Sequence, residues 1–320
     1  MKEITVSICV ITYNHEKYLR DCLEGILMQK VNFNYEILIH DDASTDATQD
    51  IIKEYQKKNP HLIFPVFQQK NQYSQGIRGI NFRFNFPRAK GKYIALCEGD
   101  DYWTDPKKLS QQVTFLENNP EYVLSFHNAE VLKNVKGRKP EKRLFREYSK
   151  CEYNGRDVLL NWLIPSASVV FKNIGYQNFP AFTKEFTLGD LSLHLSLSEF
   201  GKLGLIPRTM SIYRISDMSV TIQNINNPSH YLENIQQLNA IDQYFDGKYH
   251  QEIKKRIFHI SCSLVNAYKN NSLKKQFYWL ANALQYSSFK DDSWPHLINT
   301  SKTIILTLLT RLRLKRISTF

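Results

Sequence analysis

Three apolar runs, two of them rich in β-branched residues, each stop at a polar cluster. Thr5 to Thr12 runs into Thr12-Tyr13-Asn14, Tyr35 to His40 into Asp41-Asp42, and Tyr93 to Cys97 into Glu98-Gly99-Asp100-Asp101. Such runs read as buried strands. Between the first two, Leu19, Cys22, Leu23, Ile26 and Leu27 recur at helical spacing and give one apolar face. After the second, Ser44, Thr45 or Asp46 can cap a helix carrying Ile51, Ile52 and Tyr55, which Asn59-Pro60 stops before a third strand, Leu62 to Phe67. This alternation predicts an α/β protein: a mostly parallel, Rossmann-like central sheet with helices on both faces. Ligands bind such sheets outside the carboxyl ends of the strands, and all three polar clusters fall there.

The most acidic cluster carries the chemistry. Glu98, Asp100 and Asp101 crowd three carboxylates into four residues with one glycine among them. Like charges so close repel unless a cation sits between them. A hard divalent ion, Mn2+ or Mg2+, is bound by one or two carboxylates plus substrate phosphates. Taken alone, such a stretch is more often a solvated acidic turn that starts the next helix. Its position after a buried strand, alongside two other clusters, shifts the balance toward a site.

Further along, Lys70 to Lys92 is polar and basic and reads as a loop with a short helix around Asn81 to Phe86. Asp105-Pro106 starts a helix through about Asn118, and Tyr122 to His127 is a strand. Lys133 to Lys150 is a basic, exposed excursion, Gly155 to Leu163 is helical, and Ser168 to Phe171 is a strand. Gly189-Asp190 opens a helix, and Leu203 to Ile206 and Met210 to Arg214 are two short strands. From about Asn226 long helical patterns take over. The expected domains are therefore 1–225, mixed α/β, and 226–320, a helical C-terminal region. No internal repeat is visible.

Composition narrows the partners. A formal net charge of +11 over 320 residues favours anionic ones: phosphorylated substrates, nucleic acid or an acidic membrane. The basic residues are dispersed and form no nucleic-acid-binding motif, so no nucleic acid is expected. Five scattered cysteines without a Cys-x-x-Cys pair read as free thiols in a reducing, cytoplasmic setting. No signal peptide and no membrane-spanning stretch is expected. In the last segment Ile304, Ile305, Leu308, Leu309 and Leu312 share a side, followed by Arg311, Arg313, Lys315 and Arg316. Such a basic amphipathic helix over 302–320 lies on an anionic membrane surface or docks on its own protein with its cations at the C-terminal dipole end; the sequence leaves both open.

Taken together, Ser7-Ile-Cys-Val-Ile-Thr-Tyr-Asn14, Ile39-His-Asp-Asp-Ala-Ser-Thr-Asp46, the stretch from Ala89 to Trp103, Gly189-Asp190 and Tyr213-Arg214 resemble the family 2 glycosyltransferases of GT-A fold, especially bacterial polysaccharide-assembly enzymes. The resemblance covers about residues 4–222. It implies an inverting, metal-dependent transferase. The donor would be a nucleotide sugar, with UDP the expected nucleotide, and the acceptor a saccharide or lipid-linked saccharide.

Residue by residue, the resemblance implies that Thr12, Tyr13 and Asn14 form the first nucleotide-contacting loop. Asp42 accepts from a nucleobase N–H while Asp41 supports the turn; the plainer alternative for the pair is helix capping. Glu98 and Asp100 occupy the acidic positions of the family's Asp-x-Asp motif. Asp100 is the metal ligand and Asp101 its support, while Glu98 stands where an aspartate is commoner. Asp190 is the general base, with a plain N-cap as its alternative; His194, one turn later, is a second candidate. Arg214 pairs with phosphate, although Ser216 stands where relatives often have histidine. Trp103 stacks on the acceptor or is a core aromatic.

Rival readings fail on specific residues. A dinucleotide dehydrogenase needs a glycine-rich turn after the first strand, and Thr12-Tyr13-Asn14-His15 has none. A P-loop NTPase needs Gly-Lys-Ser/Thr. The remaining rival is a catalytically degenerate relative that binds glycan or a partner without turnover.

Overall fold

The computed structural model describes residues 3–137, 139–217, 219–224, 226–269, 272–286 and 295–304. The chain divides into two compact units, Met1–Ser219 and Val220–Phe320, a few residues ahead of the boundary expected from composition.

The first unit opens β1 (Val6–Thr12), α1 (Leu19–Leu27), β2 (Tyr35–Asp41), α2 (Thr48–Lys58), β3 (Ile63–Phe67) and β4 (Tyr93–Leu96). These are the elements the alternating pattern predicts. There follow β5 (Tyr102–Trp103), α3 (Lys108–Asn118), β6 (Tyr122–Asn134), β7 (Glu141–Leu144), β8 (Glu152–Tyr153), α4 (Gly155–Leu160), β9 (Val170–Lys172), α5 (Gly189–Leu197) and β10 (Lys202–Ser216). One sheet takes all ten strands, in the order β3-β2-β1-β4-β9-β6-β10-β5, with β7 on β6 and β8 on β10. The β3-β2-β1-β4 half is parallel. β9 reverses the direction against both β4 and β6.

Apolar burial holds the parallel half together. Val6, Ile8 and Val10 of β1 pack with Leu19, Cys22, Leu23 and Ile26 of α1 and Ile51 and Ile52 of α2. Each fully buried aliphatic side chain contributes roughly 1.5–3 kcal/mol. α1 also packs closely on β5: a Cβ on Gly25 would lie 2.7 Å from the Trp103 carbonyl oxygen. Only glycine allows that approach.

Three expectations change. The two short strands before Arg214 are one, β10, kept continuous through register irregularities between Ile206 and Ser211. The basic excursion after Lys133 contains β7, which pairs with β6 while remaining exposed. The short helix near Asn81 is a π turn, Asn81–Asn85, followed by a 3-10 turn, Phe86–Arg88.

The second unit contains α6 (Val220–Gln223), α7 (Pro228–Tyr244), α8 (His250–Ala267) and α9 (Leu273–Tyr286), with residues 295–304 also helical. Asn227 caps α7 by accepting from the Ser229 N–H, with Pro228 at the first helical position. Phe258, Cys262, Ala283 and Leu297 form a small core. Of the terminal amphipathic helix expected over 302–320, residues 305–320 lie outside the described residues. Among the described residues no helix is long and apolar enough to cross a membrane.

Candidate active site

The register of the parallel strands sets the polar clusters side by side. Thr12 pairs with Asp41 across β1 and β2, and Cys9 with Leu96 across β1 and β4. The chain leaving β4 lies on the end of β1, with the Gly99 N–H donating to the Ile11 carbonyl at 2.9 Å. A Cβ on Gly99 would sit 2.8 Å from His15 Nδ1 and 2.9 Å from Thr12 Oγ1. Those two atoms are themselves buried and without a hydrogen-bond partner among the described residues. Burial pulls the His15 pKa down, against the pull of Asp100, Asp46 and Asp41. His15 thus belongs to the acidic cluster, a membership its place after Thr12-Tyr13-Asn14 signals only weakly.

The nucleotide-side residues divide into an exposed one and several that shape the loop. Tyr13 is 40% exposed, so part of its ring is open for stacking. Asn14 adopts a left-handed φ of 54° and its Oδ1 accepts from the Thr45 N–H at 2.8 Å. Asp41 accepts from the Ser44 N–H at 3.0 Å and from Gln49 Nε2 at 2.7 Å, the supporting role expected of it. Asp42 also has partners within the chain. Its carboxylate accepts from the backbone N–H groups of Gln72 and Tyr73 at 2.7 and 3.1 Å, and it is 3% exposed. A buried carboxylate is stable only when hydrogen-bonded, and here loop 71–73 supplies donors to both of its oxygens.

The acidic loop is held from below. Asp101 is buried, and its Oδ1 accepts from the Arg214 N–H at 2.8 Å. Burial, then Asp100 and Glu98, push its carboxyl well above the usual range, with the Arg214 amide opposing. The Arg214 guanidinium donates to the Asp100 carbonyl at 3.0 Å and to Asp21, and lies over the rings of Tyr18 and Tyr102. Arg214 therefore grips the acidic loop, a structural role its sequence position does not announce. Asp100 itself is half-buried. Glu98 is pushed up to about 8 by burial, then by Asp100 and Asp190, while a hydrogen bond from Ser166 opposes.

Trp103 requires a correction. It is 1% exposed, its Nε1–H donates to the Ala167 carbonyl at 2.8 Å, and Lys108 Nζ lies 3.7 Å from the ring centroid. It is a core aromatic and offers no face to an acceptor. The exposed tryptophan beside the site is Trp162, which sequence reasoning placed inside a helix. α4 is fixed by a capping box between Asn154 and Asp157 and ends at Leu160, leaving Trp162 in the following loop. The chain turns extended at Asn161, four residues before Pro165.

Asp190 sits in the first turn of α5. Its Oδ1 accepts from the Leu191 N–H at 2.8 Å and its Oδ2 from Trp162 Nε1 at 3.1 Å. The fold brings it close enough to Glu98 for the two charges to interact. His194 is buried, and burial holds its pKa down at about 4 despite Asp190. Its burial closes it to an incoming hydroxyl, whereas Asp190 is only half-buried, which favours Asp190 of the two candidate bases. Among the described residues no three His, Cys, Asp or Glu side chains group tightly enough to hold a metal unaided. Any divalent ion here needs oxygens from a ligand as well, and the mutually repelling Glu98, Asp100 and Asp190 are a donor set such an ion would relieve.

A curled, mostly parallel sheet with carboxylates at its strand ends is the architecture of the GT-A glycosyltransferases. The structure superposes on the 1-349 chain of S. aureus TarS with a TM-score of 0.60, covering 95% of this chain and 89% of that one at 16% identity. Residues 7–174 match the family described as glycosyl transferase family 2, and the chain belongs to that family. An uncharacterized protein of Mycobacterium tuberculosis is 38% identical over 211 residues, 65% of this chain and 58% of that protein. The chain thus spans less than two thirds of that relative's length. The Escherichia coli UDP-Glc:alpha-D-GlcNAc-diphosphoundecaprenol beta-1,3-glucosyltransferase WfaP is 38% identical over 112 residues, 35% of this chain and 41% of WfaP.

Proposed function

We propose that this chain is an inverting glycosyltransferase that moves a sugar from a UDP-sugar to a saccharide or lipid-linked saccharide acceptor, with Mn2+ or Mg2+. The observation that carries the reading is that Asp190, distant in sequence, lies close enough to Glu98 of the acidic loop for the two charges to interact. Asp190 takes the proton of the attacking acceptor hydroxyl at its carboxylate. The new bond forms at the anomeric carbon as the bond to the donor phosphate breaks, and the nucleoside diphosphate leaves with the electron pair. One base and one displacement invert the anomeric centre. Asp100 would hold the divalent ion together with donor phosphates, where a Lewis acid stabilises the charge on the leaving group. Tyr13, with part of its ring exposed, would stack on the base.

UDP as the nucleotide is supported by TarS, crystallised with UDP-GlcNAc and with UDP, and by the UDP-Glc in the name of WfaP. The diphosphoundecaprenol in the latter name supports a lipid-linked acceptor. With such an acceptor the protein would work at the inner face of the cell membrane, and 302–320 would be its contact. Removing 302–320 should then shift the protein out of the membrane fraction; unchanged fractionation removes this part of the reading.

A panel of nucleotide sugars, with and without Mn2+, tests the class. Nucleotide release to an n-octyl glycoside acceptor should appear with a UDP-sugar and disappear on chelation. Metal-dependent binding without turnover of any donor would instead identify a degenerate relative.

A further inference from the structure

Trp162 is placed as no core tryptophan would be. Its ring is 47% exposed, yet its indole N–H donates to Asp190 Oδ2 at 3.1 Å. The ring is held edge-on by two aromatics: Phe145 with centroids 4.9 Å apart at 72°, and Tyr213 at 5.5 Å and 76°. Arg146 fixes the backbone beneath it, donating to Asn161 Oδ1 at 3.2 Å and reaching the Trp162 carbonyl at 3.5 Å. Tyr213 precedes Arg214 on β10, so one strand buttresses the indole and grips the Asp100–Asp101 loop. An exposed tryptophan fixed this firmly costs apolar hydration and ordering entropy with little core packing in return.

We infer that Trp162 is the acceptor-side positioning residue of this site: its N–H aims the Asp190 carboxylate and its exposed ring receives the pyranose that carries the nucleophile. The inference rests on Asp190 being the base. A base must come within hydrogen-bond reach of the proton it removes, so the sugar bearing that proton lies against whatever surrounds Asp190. The side chain that reaches its Oδ2 is the exposed indole of Trp162. Pyranoses present apolar C–H faces that pack on aromatic rings, and indole, with an apolar body and one polar N–H, suits both tasks. Acceptor recognition and base orientation are then carried by one side chain.

Two variants of the full chain separate these tasks, assayed with Mn2+, the donor selected by the panel above and the n-octyl glycoside it transfers to. Trp162→Phe keeps a ring and loses the N–H; kcat should fall about tenfold while the acceptor KM stays within roughly twofold. Trp162→Ala loses both, and the acceptor KM should rise about tenfold as well. Donor KM should be unchanged in each. A Trp162→Phe enzyme with wild-type kcat overturns the aiming role. An unchanged acceptor KM in Trp162→Ala, or donor and acceptor KM rising together, overturns the platform. If the wild type transfers to no acceptor, or Asp190→Asn keeps the wild-type rate, the reading of Asp190 fails, and this inference with it.

Discussion

Arg214 shows how residue type and place can be legible while the role is not. Its position beside Tyr213 points to donor phosphates, but its amide and guanidinium are engaged by Asp101, Asp100 and Asp21. Hydrogen bonds to charged groups contribute about 1.5–3 kcal/mol each. Arg214→Ala should therefore lower both the melting temperature and kcat, and Arg214→Lys should not restore them, because a compact ammonium lacks the planar fork whose two nitrogens reach the Asp100 carbonyl and Asp21 separately. A variant with a normal melting temperature and a raised donor KM alone would return Arg214 to the phosphate. Lys108 offers a cleaner pH test. It is fully buried against Trp103, its Nζ finds no hydrogen-bond acceptor among the described residues, and burial lowers its pKa to about 7. Below pH 7 the amine is charged folded and unfolded, so the cost of burial is complete. As pH rises from 7 toward 10.5 only the unfolded chain keeps the proton, and the cost fades. Lys108→Met should stabilise the fold most near pH 6.5, by an amount on the order of a few kcal/mol read as a higher melting temperature, and progressively less toward pH 9.5. A gain independent of pH would show that the amine is not held neutral by burial. The sequence could single out Asp100 and Asp190, because carboxylates after a strand and at a helix start are local patterns. It could not choose between Trp103 and Trp162, because burial depends on the Gly25 contact and on where α4 ends.

At the scale of elements, the parallel half of the sheet was readable because each strand and helix carries its own period. The other half was not. β10 stays one strand through its irregularities because β6 and β5 flank it, and neither pairing is visible in β10's own residues. The loop between β4 and β5 depends on Gly99. An added Cβ there would push on Thr12 and His15 at 2.8–2.9 Å. Gly99→Ala should keep the fold while moving Asp100, at a strain of about 1–3 kcal/mol. Thermal shift with UDP and Mn2+ reads this directly: apparent donor affinity should drop roughly tenfold. Undiminished affinity would mean that the loop is not the donor site.

At the scale of the whole molecule, every site residue named here, from Thr12 to Arg214, lies within the first unit, Met1–Ser219. The four-stranded parallel core and its acidic edge are complete there. A fragment ending at Ser219 should therefore bind UDP with Mn2+ as the full chain does, by the same thermal shift. Loss of binding would assign part of the donor site to the second unit. The +11 charge fits an anionic donor and acceptor without selecting either. What selects the reaction is the pairing of the acidic loop with Asp190. The most direct measurement is Asp190→Asn, with turnover and UDP-sugar binding recorded on the same preparation. If Asp190 is the base, kcat falls by about 10²–10⁴ while donor affinity is retained. A variant that binds donor and still transfers at the wild-type rate would contradict the role given to Asp190 and the mechanism built on it.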